Sequence, residues 1–135
     1  MSMMLVLIVI SFTMANLHAL LWINSTWLTS AVLPSVIVDL TNSERKSTAL
    51  NSLSRNATLD AAAQMKAEDM AQNGYFAHYS PEGVSPWYWI QQAGYAYEEA
   101  GENLAVHFTD SDEVVKAWME SIGHRENILN KNYII

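Results

Sequence analysis

The chain has 135 residues, with 14 acidic residues against 7 lysines and arginines, which gives a net charge of -7. This acidity argues against nucleic acid as a partner, because binding to phosphates requires basic surface patches. There is no cysteine, so disulfides and thiolate chemistry are excluded, and the length is that expected of one domain.

The leading segment, residues 1–38, is apolar and uncharged, since Asp39 is the first charged residue. Residues 3–23 are an uncharged, largely apolar run, and roughly 20 apolar residues suffice to cross a bilayer. We therefore favour a transmembrane anchor, with Trp22 and Trp27 in the interfacial positions that aromatic residues prefer. A signal peptide cleaved after the small residues TSA is the second interpretation, although no basic residue precedes the apolar run. A buried core helix is the third.

Residues 39–135 begin with the pattern of short helices. The segment VDLTNSERKSTALNSL predicts a first helix from its valine and leucine face. The segment LDAAAQMKAEDMAQNG is rich in strong helix formers, with Thr58 as the predicted N-cap and Gly74 as the terminating glycine. Its predicted apolar stripe consists of Leu59, Ala62, Ala63, Ala67 and Met70. The segment SPWYWIQQAG predicts a short third helix.

The rest of the chain mixes helical patterns with strand-like composition. Asp110 and Glu113 have the spacing of a capping box at the start of SDEVVKAWMES, and HRENILN adds one or two helical turns. The segment YAYEEAGENLAVHF lacks a helical stripe and ends in alternating residues, which predicts a strand. The closing NYII also has strand composition. Together these elements predict an α+β fold of short helices around a small sheet.

Four polar side chains are candidates for a site: His78 in FAHYS, Glu102 in GENLA, and Glu120 and His124 in WMESIGHR. Two histidines and a carboxylate form a familiar catalytic zinc set, because they leave one coordination position for water. Histidine also serves as an acid or base near neutral pH. The residues alone leave open the alternative that each histidine is an ordinary helix-end or loop residue, since no HExxH-type spacing is present.

Five segments match one family in chain order: LTNSER, LDAAAQMKAEDMAQNGYFAHYSPEG, SPWYWIQQAGY, AGENLAVHF and VVKAWMESIGHRENILNKNY. Over residues 39–135 the sequence resembles the CAP superfamily, also called the SCP-like domain, in its bacterial, cysteine-free branch. The resemblance implies an α-β-α sandwich with a cleft lined by two histidines and two acidic residues. By motif these are His78, Glu102 and His124. Glu120 is the weaker acidic candidate, because bacterial relatives often have asparagine there.

The resemblance also implies a location and a type of partner. It places the domain outside the cytoplasm, anchored in the membrane or secreted if the leading segment is cleaved. Some relatives bind a divalent metal through the two histidines, and others bind sterols or lipids in a cleft. A lipid, a small molecule or a cell-wall component is therefore the expected ligand.

Three functional hypotheses follow. The absence of an evident nucleophile favours a ligand-binding module of undefined molecular activity over an enzyme. The alternative is a metal-dependent hydrolase in which His78 and His124 hold a divalent metal such as zinc, with Glu102 as a ligand or general base. The third hypothesis is a structural cluster of hydrogen bonds that orders the loops.

Two departures from the family pattern are visible. Ile122 stands where relatives usually have proline before the second histidine. Family domains also continue past the NY dipeptide with a glycine-rich strand and its hairpin partner. The resemblance therefore implies an incomplete sandwich without its central strands, with apolar helix faces uncovered and strand edges unpaired. We expect a truncated domain, or one that takes a strand from elsewhere.

Overall fold

The structure, a computed structural model, describes residues 31–134, so the predicted membrane segment at residues 3–23 lies outside the described residues. From Val32 onward the chain belongs to one compact unit. Its helices are α1 (Pro34–Ser47), α2 (Ala57–Asn73), α3 (Trp87–Gln92), α4 (Ser111–Glu120) and α5 (Ile122–Ile128). None of these described helices has the length and apolarity needed to span a membrane.

Local capping signals set the ends of these helices. The Oδ1 of Asn56 accepts hydrogen bonds from two N–H groups of the first turn of α2, at 2.9 and 3.2 Å. Asn56 rather than the predicted Thr58 is therefore the cap of this helix. Gly74 ends α2 in the left-handed conformation with a φ of 66°, as predicted. The Oδ1 of Asp110 accepts from an N–H in the first turn of α4 at 2.7 Å, which confirms the predicted cap.

The helices pack in two groups around a small core. Helix α1 packs against α4 and α5, and α2 packs against α3. The buried apolar residues are Ala62, Val114, Val115 and Ile128. Because this apolar core is small, buried polar contacts have to hold part of the tertiary structure.

A buried arginine joins the ends of α1 and α5. Arg45 is 0% exposed, and its guanidinium donates to the carbonyl oxygens of Asn51, Ile128, Asn130 and Tyr133 at 2.8 to 3.0 Å. Burial lowers the pKa of Arg45 from its ordinary value, but the group stays charged. The carbonyls at the end of α5 favour a cation because of the helix dipole. We call Arg45 with these four carbonyls the Arg45 anchor.

The described residues contain no β-strand, so the strand component of the α+β prediction is wrong for them. The predicted strand in YAYEEAGENLAVHF is an irregular loop, where His107 has a φ of 66° that an extended strand does not adopt. The backbone of this loop binds side chains instead of a neighbouring strand: the carbonyl of Leu104 accepts from the Nε1 of Trp118 at 2.9 Å. Residues 132–134 are irregular as well.

An open groove of about 700 Å³ lies between the helices and this loop. Leu59 of α2, Ile90 of α3, Trp118 of α4 and Ile128 of α5 line it together with residues of the loop. Apolar helix faces are therefore partly open to this groove among the described residues.

Candidate functional site

Three of the four predicted site residues lie together. His78, Glu102 and His124 line one open cleft of about 450 Å³. Glu120, the weaker candidate, is an exposed residue at the end of α4 and is not among the residues that line this cleft. The structure thus brings together side chains from three separate loops or helix starts and leaves the fourth outside.

His78 and Glu102 are in direct contact. The Nδ1 of His78 lies 2.7 Å from the Oε1 of Glu102, and 53% of the histidine side chain and 18% of the glutamate side chain are exposed. An ionised carboxylate can only accept a hydrogen bond, so the imidazole donates from Nδ1 when Glu102 is charged. The contact fixes the orientation of the ring and leaves its Nε2 available to a ligand.

A turn fixes the backbone just after His78. The N–H of Ser80 donates to the carbonyl of Val84 at 3.0 Å, and the N–H of Gly83 donates to the carbonyl of Ser80 at 2.9 Å. The Ser80 hydroxyl donates to the Oε2 of Glu82 at 2.9 Å and accepts from the N–H groups of Glu82 and Val84. Ser80 is therefore a buried turn residue rather than a nucleophile.

Gly101 allows the loop that carries Glu102 to lie directly on α5. A Cβ at this position would lie 2.7 Å from the Oη of Tyr133 and 2.8 Å from the Oδ1 of Asn127. The Nδ2 of Asn127 also donates to the carbonyl of Glu102 at 3.2 Å and to the Oδ1 of Asn103 at 3.0 Å. The close approach made possible by glycine and these amide contacts set the position of Glu102.

The same loop also positions His124. The Nδ2 of Asn103 donates to the carbonyl of His124 at 3.1 Å. The ring centroids of His124 and Trp118 are 6.5 Å apart, so the imidazole has an aromatic neighbour. Ile122 is 67% exposed and begins α5, so the helix that carries His124 forms without the usual proline.

Two aromatic residues complete the cleft. Tyr79 is 58% exposed, and Trp87 lies 6.3 Å from Tyr97 between ring centroids. Both Tyr79 and Trp87 line the cleft beside the polar residues. An aromatic ring next to polar groups provides flat apolar surface for a ligand. Tyr79 was not among the predicted site residues, although its position next to His78 in FAHYS was a usable signal.

The donor atoms do not form a preformed metal site. Within residues 31–134, no three histidine, aspartate or glutamate side chains are grouped so that they could hold a metal ion. The carboxylate of Glu102 is engaged with the ring of His78 instead. Zinc binding through His78, His124 and Glu102 therefore remains a prediction. The cleft contains hydrogen-bonding groups beside aromatic rings.

Comparison with known proteins identifies relatives over the same region. Two proteins of Bacillus subtilis (strain 168) are similar: the uncharacterized protein YkwD, 45% identical over 97 residues, and the uncharacterized membrane protein YlbC, 34% identical over 97 residues. Each match covers 72% of this chain but only 38% and 28%, respectively, of those proteins. The chain therefore spans well under half the length of these two relatives.

Solved structures agree with this result. An extracellular protein containing a SCP domain from Bacillus anthracis str. Ames matches with a TM-score of 0.69 and 33% identity, over 72% of this chain and 33% of that chain. An outer surface protein from Borrelia burgdorferi matches with a TM-score of 0.59 and 24% identity, over 73% of this chain and 72% of that chain. The second likeness is one of fold alone.

The family assignment rests on the greater part of the chain. The model of the CAP family, described as the cysteine-rich secretory protein family, matches residues 38–134. This range contains all five segments that carry the resemblance and all four predicted site residues. The chain belongs to the CAP family.

Proposed function

We propose that this chain is a membrane-tethered CAP protein whose domain, outside the cytoplasm, binds a component of the cell envelope and performs no chemistry on it. The supporting observation is that His78, Glu102 and His124 share one open cleft with aromatic residues. The description of the Bacillus anthracis relative as extracellular and of YlbC as a membrane protein supports the location. If residues 1–38 are cleaved, the same domain is secreted.

The chemistry of the cleft favours one class of ligand. Tyr79 and Trp87 offer apolar ring surface, and Glu102 and the two histidines offer hydrogen-bond donors and acceptors. The described residues that line the cleft include neither lysine nor arginine, so an anionic headgroup would lack a counter-charge. We therefore favour a neutral or amine-bearing glycan or peptide of the cell wall over an anionic lipid.

The test is sedimentation of the purified full-length chain with insoluble peptidoglycan. We expect retention of the wild type, and a loss of affinity of about tenfold or more for His78→Ala and Glu102→Ala, because each removes a hydrogen-bonding group from the cleft. The matched control is His107→Ala, which removes an exposed histidine that does not itself line the cleft and should leave retention unchanged.

Two outcomes would contradict the proposal. Equal retention of the wild type, His78→Ala and Glu102→Ala, or retention of none of them, would exclude peptidoglycan recognition by this cleft. Release of soluble fragments by the wild type but not by His78→Ala would identify an enzyme instead of a binding module.

A metal-dependent hydrolase is the second candidate, favoured by the presence of two histidines in one cleft. On that hypothesis zinc raises the melting temperature of the wild type, because a ligand that binds only the folded state stabilises it. The increase should disappear in His78→Ala and in His124→Ala. A protein purified without chelator that contains no divalent ion and shows no zinc-dependent shift would exclude this candidate.

A further inference from the structure

A buried lysine contacts the loop that carries His78. Lys66 of α2 is 3% exposed, and its Nζ donates to the carbonyl oxygen of His78 at 3.0 Å and to the Oη of Tyr75 at 3.2 Å. Lysine is seldom fully buried unless its charge has partners. This ammonium does not line the cleft, so direct ligand contact does not account for its place.

The ammonium belongs to a chain of polar contacts that we call the Lys66 network, made of Lys66, Tyr75 and Asp69. The Oη of Tyr75 donates to the Oδ2 of Asp69, whose Oδ1 accepts from the Nδ2 of Asn73 at 3.0 Å. The Nζ of Lys66 also lies 5.0 Å from the centroid of the Tyr75 ring, within the range of a cation–π contact. The carbonyl of His78 is the point at which this network meets the candidate site.

The backbone around His78 is consequently fixed from two sides. Lys66 binds the carbonyl of His78 itself, and the buried Ser80 closes a turn two residues later. The side chain between these points is the exposed imidazole that contacts Glu102. Fixing a binding group before the ligand arrives reduces the entropy lost on association.

We propose that Lys66 is a positioning residue for the cleft, which acts through the carbonyl of His78 to set where the imidazole meets Glu102. This inference rests on the proposed binding function, since positioning matters for affinity only if His78 contacts the ligand. Without the ammonium, the carbonyl of His78 turns toward water, and the ring loses its fixed contact with Glu102. A purely structural Lys66 would affect stability and leave the geometry of His78 unchanged.

The experiment reads the His78 ring directly, without any ligand. Ring ¹⁵N and ¹H NMR signals of His78 are recorded at one pH in the purified full-length wild type, Lys66→Met and Tyr75→Phe. The Glu102→Ala variant, which has no side-chain acceptor, supplies the signature of a lost contact. We expect the His78 ring signals to move toward that signature in Lys66→Met and part of the way in Tyr75→Phe, while the signals of His107 stay in place.

The matched control is Lys116→Met, the same substitution at an exposed position of α4. It should leave the His78 ring signals and the retention on peptidoglycan unchanged. Lys66→Met should lower the affinity for peptidoglycan by about tenfold relative to this control, as expected when one well-placed hydrogen bond is lost.

Unchanged ring signals of His78 in folded Lys66→Met and Tyr75→Phe would overturn the proposal. If Lys66→Met does not fold, Tyr75→Phe decides alone, because it removes only the hydroxyl that joins Lys66 to Asp69 and keeps the ring. If the ring signals move but the wild type is not retained on peptidoglycan, the proposed function fails and the effect of Lys66 on His78 is still established.

Discussion

Arg45 and His78 are polar side chains placed in opposite ways. Arg45 is 0% exposed and donates to four backbone carbonyls, whereas 53% of the His78 side chain is exposed and it contacts one carboxylate, that of Glu102. A buried cation with a full set of partners is strongly destabilising to remove, because the partners are then left unpaired. An exposed pair contributes little to stability. The fold thus separates the contacts that stabilise it from those proposed to bind a ligand.

The largest loss of stability is expected on substitution of the buried Arg45. Arg45→Met should lower the free energy of unfolding by about 3–5 kcal/mol, because four carbonyls lose a charged donor in a buried region. Arg55→Met is the matched control: Arg55 is 46% exposed in its ion pair with Asp60, so its loss should change stability by about 0.5 kcal/mol or less. Denaturant unfolding measures both, and equal values would remove the contrast between buried and exposed cations.

Gly101 lies between the Arg45 anchor and the candidate site. It precedes Glu102 in the chain and lies against Tyr133, whose carbonyl accepts from Arg45. Gly101→Ala should destabilise by about 1–3 kcal/mol, because the new methyl group overlaps Tyr133 and Asn127. Gly123→Ala, which has nothing within 4 Å of the new Cβ, should be neutral or stabilise α5 by about 0.5–1 kcal/mol. Thermal unfolding measures the stability of both variants. Similar losses of stability in Gly101→Ala and Gly123→Ala would show that crowding at Gly101 is not the cause.

The exposed side of the comparison is tested by a double-mutant cycle. His78→Ala, Glu102→Ala and the combined variant should show a coupling in unfolding free energy below about 1 kcal/mol, as is typical of exposed pairs. A coupling well above this value would favour the hypothesis of a structural cluster. The cycle uses the same variants as the peptidoglycan assay, so the effects on stability and on binding are directly comparable.

The smallest effect is expected at alkaline pH. Burial, followed by the hydrogen bond and charge of Asp69, raises the pKa of Tyr75 from 10.0 to about 12. The stability contributed by the neutral phenol is therefore fully present below about pH 10 and is lost as the pH rises toward about 12, because the unfolded chain ionises first. The melting temperature of the wild type should fall more steeply over this interval than that of Tyr75→Phe. If the melting temperatures of the wild type and Tyr75→Phe fell in parallel with rising pH, the raised pKa of Tyr75 would be contradicted.

Sequence patterns located the helices better than the contacts between them. The caps at Asp110 and Gly74 were recognisable because their signals are local. The strand predicted in YAYEEAGENLAVHF was wrong, because alternation within one segment does not supply the neighbouring strand that a ladder requires. Val106 and His107 lie instead in an exposed loop.

The candidate site, like the fold, could be predicted from the sequence only in part. His78, Glu102 and His124 were identified through family motifs, but the buried cations were not. The predicted apolar stripe of α2 included Ala63 and Ala67, which are exposed, and omitted Lys66, which is buried. A composition-based pattern treats lysine as a surface residue, and only the tertiary contact with the His78 carbonyl accounts for its burial.

The Arg45 anchor also has a consequence for the biosynthesis of the protein. Three of the partner carbonyls lie 83, 85 and 88 residues after Arg45. At ordinary rates of translation this separation corresponds to roughly 5–20 seconds. Until residues 128–133 have been synthesised, the Arg45 guanidinium has none of these three acceptors and only the carbonyl of Asn51 is available to it. The Arg45 anchor therefore cannot form until the segment around the end of α5 has been synthesised.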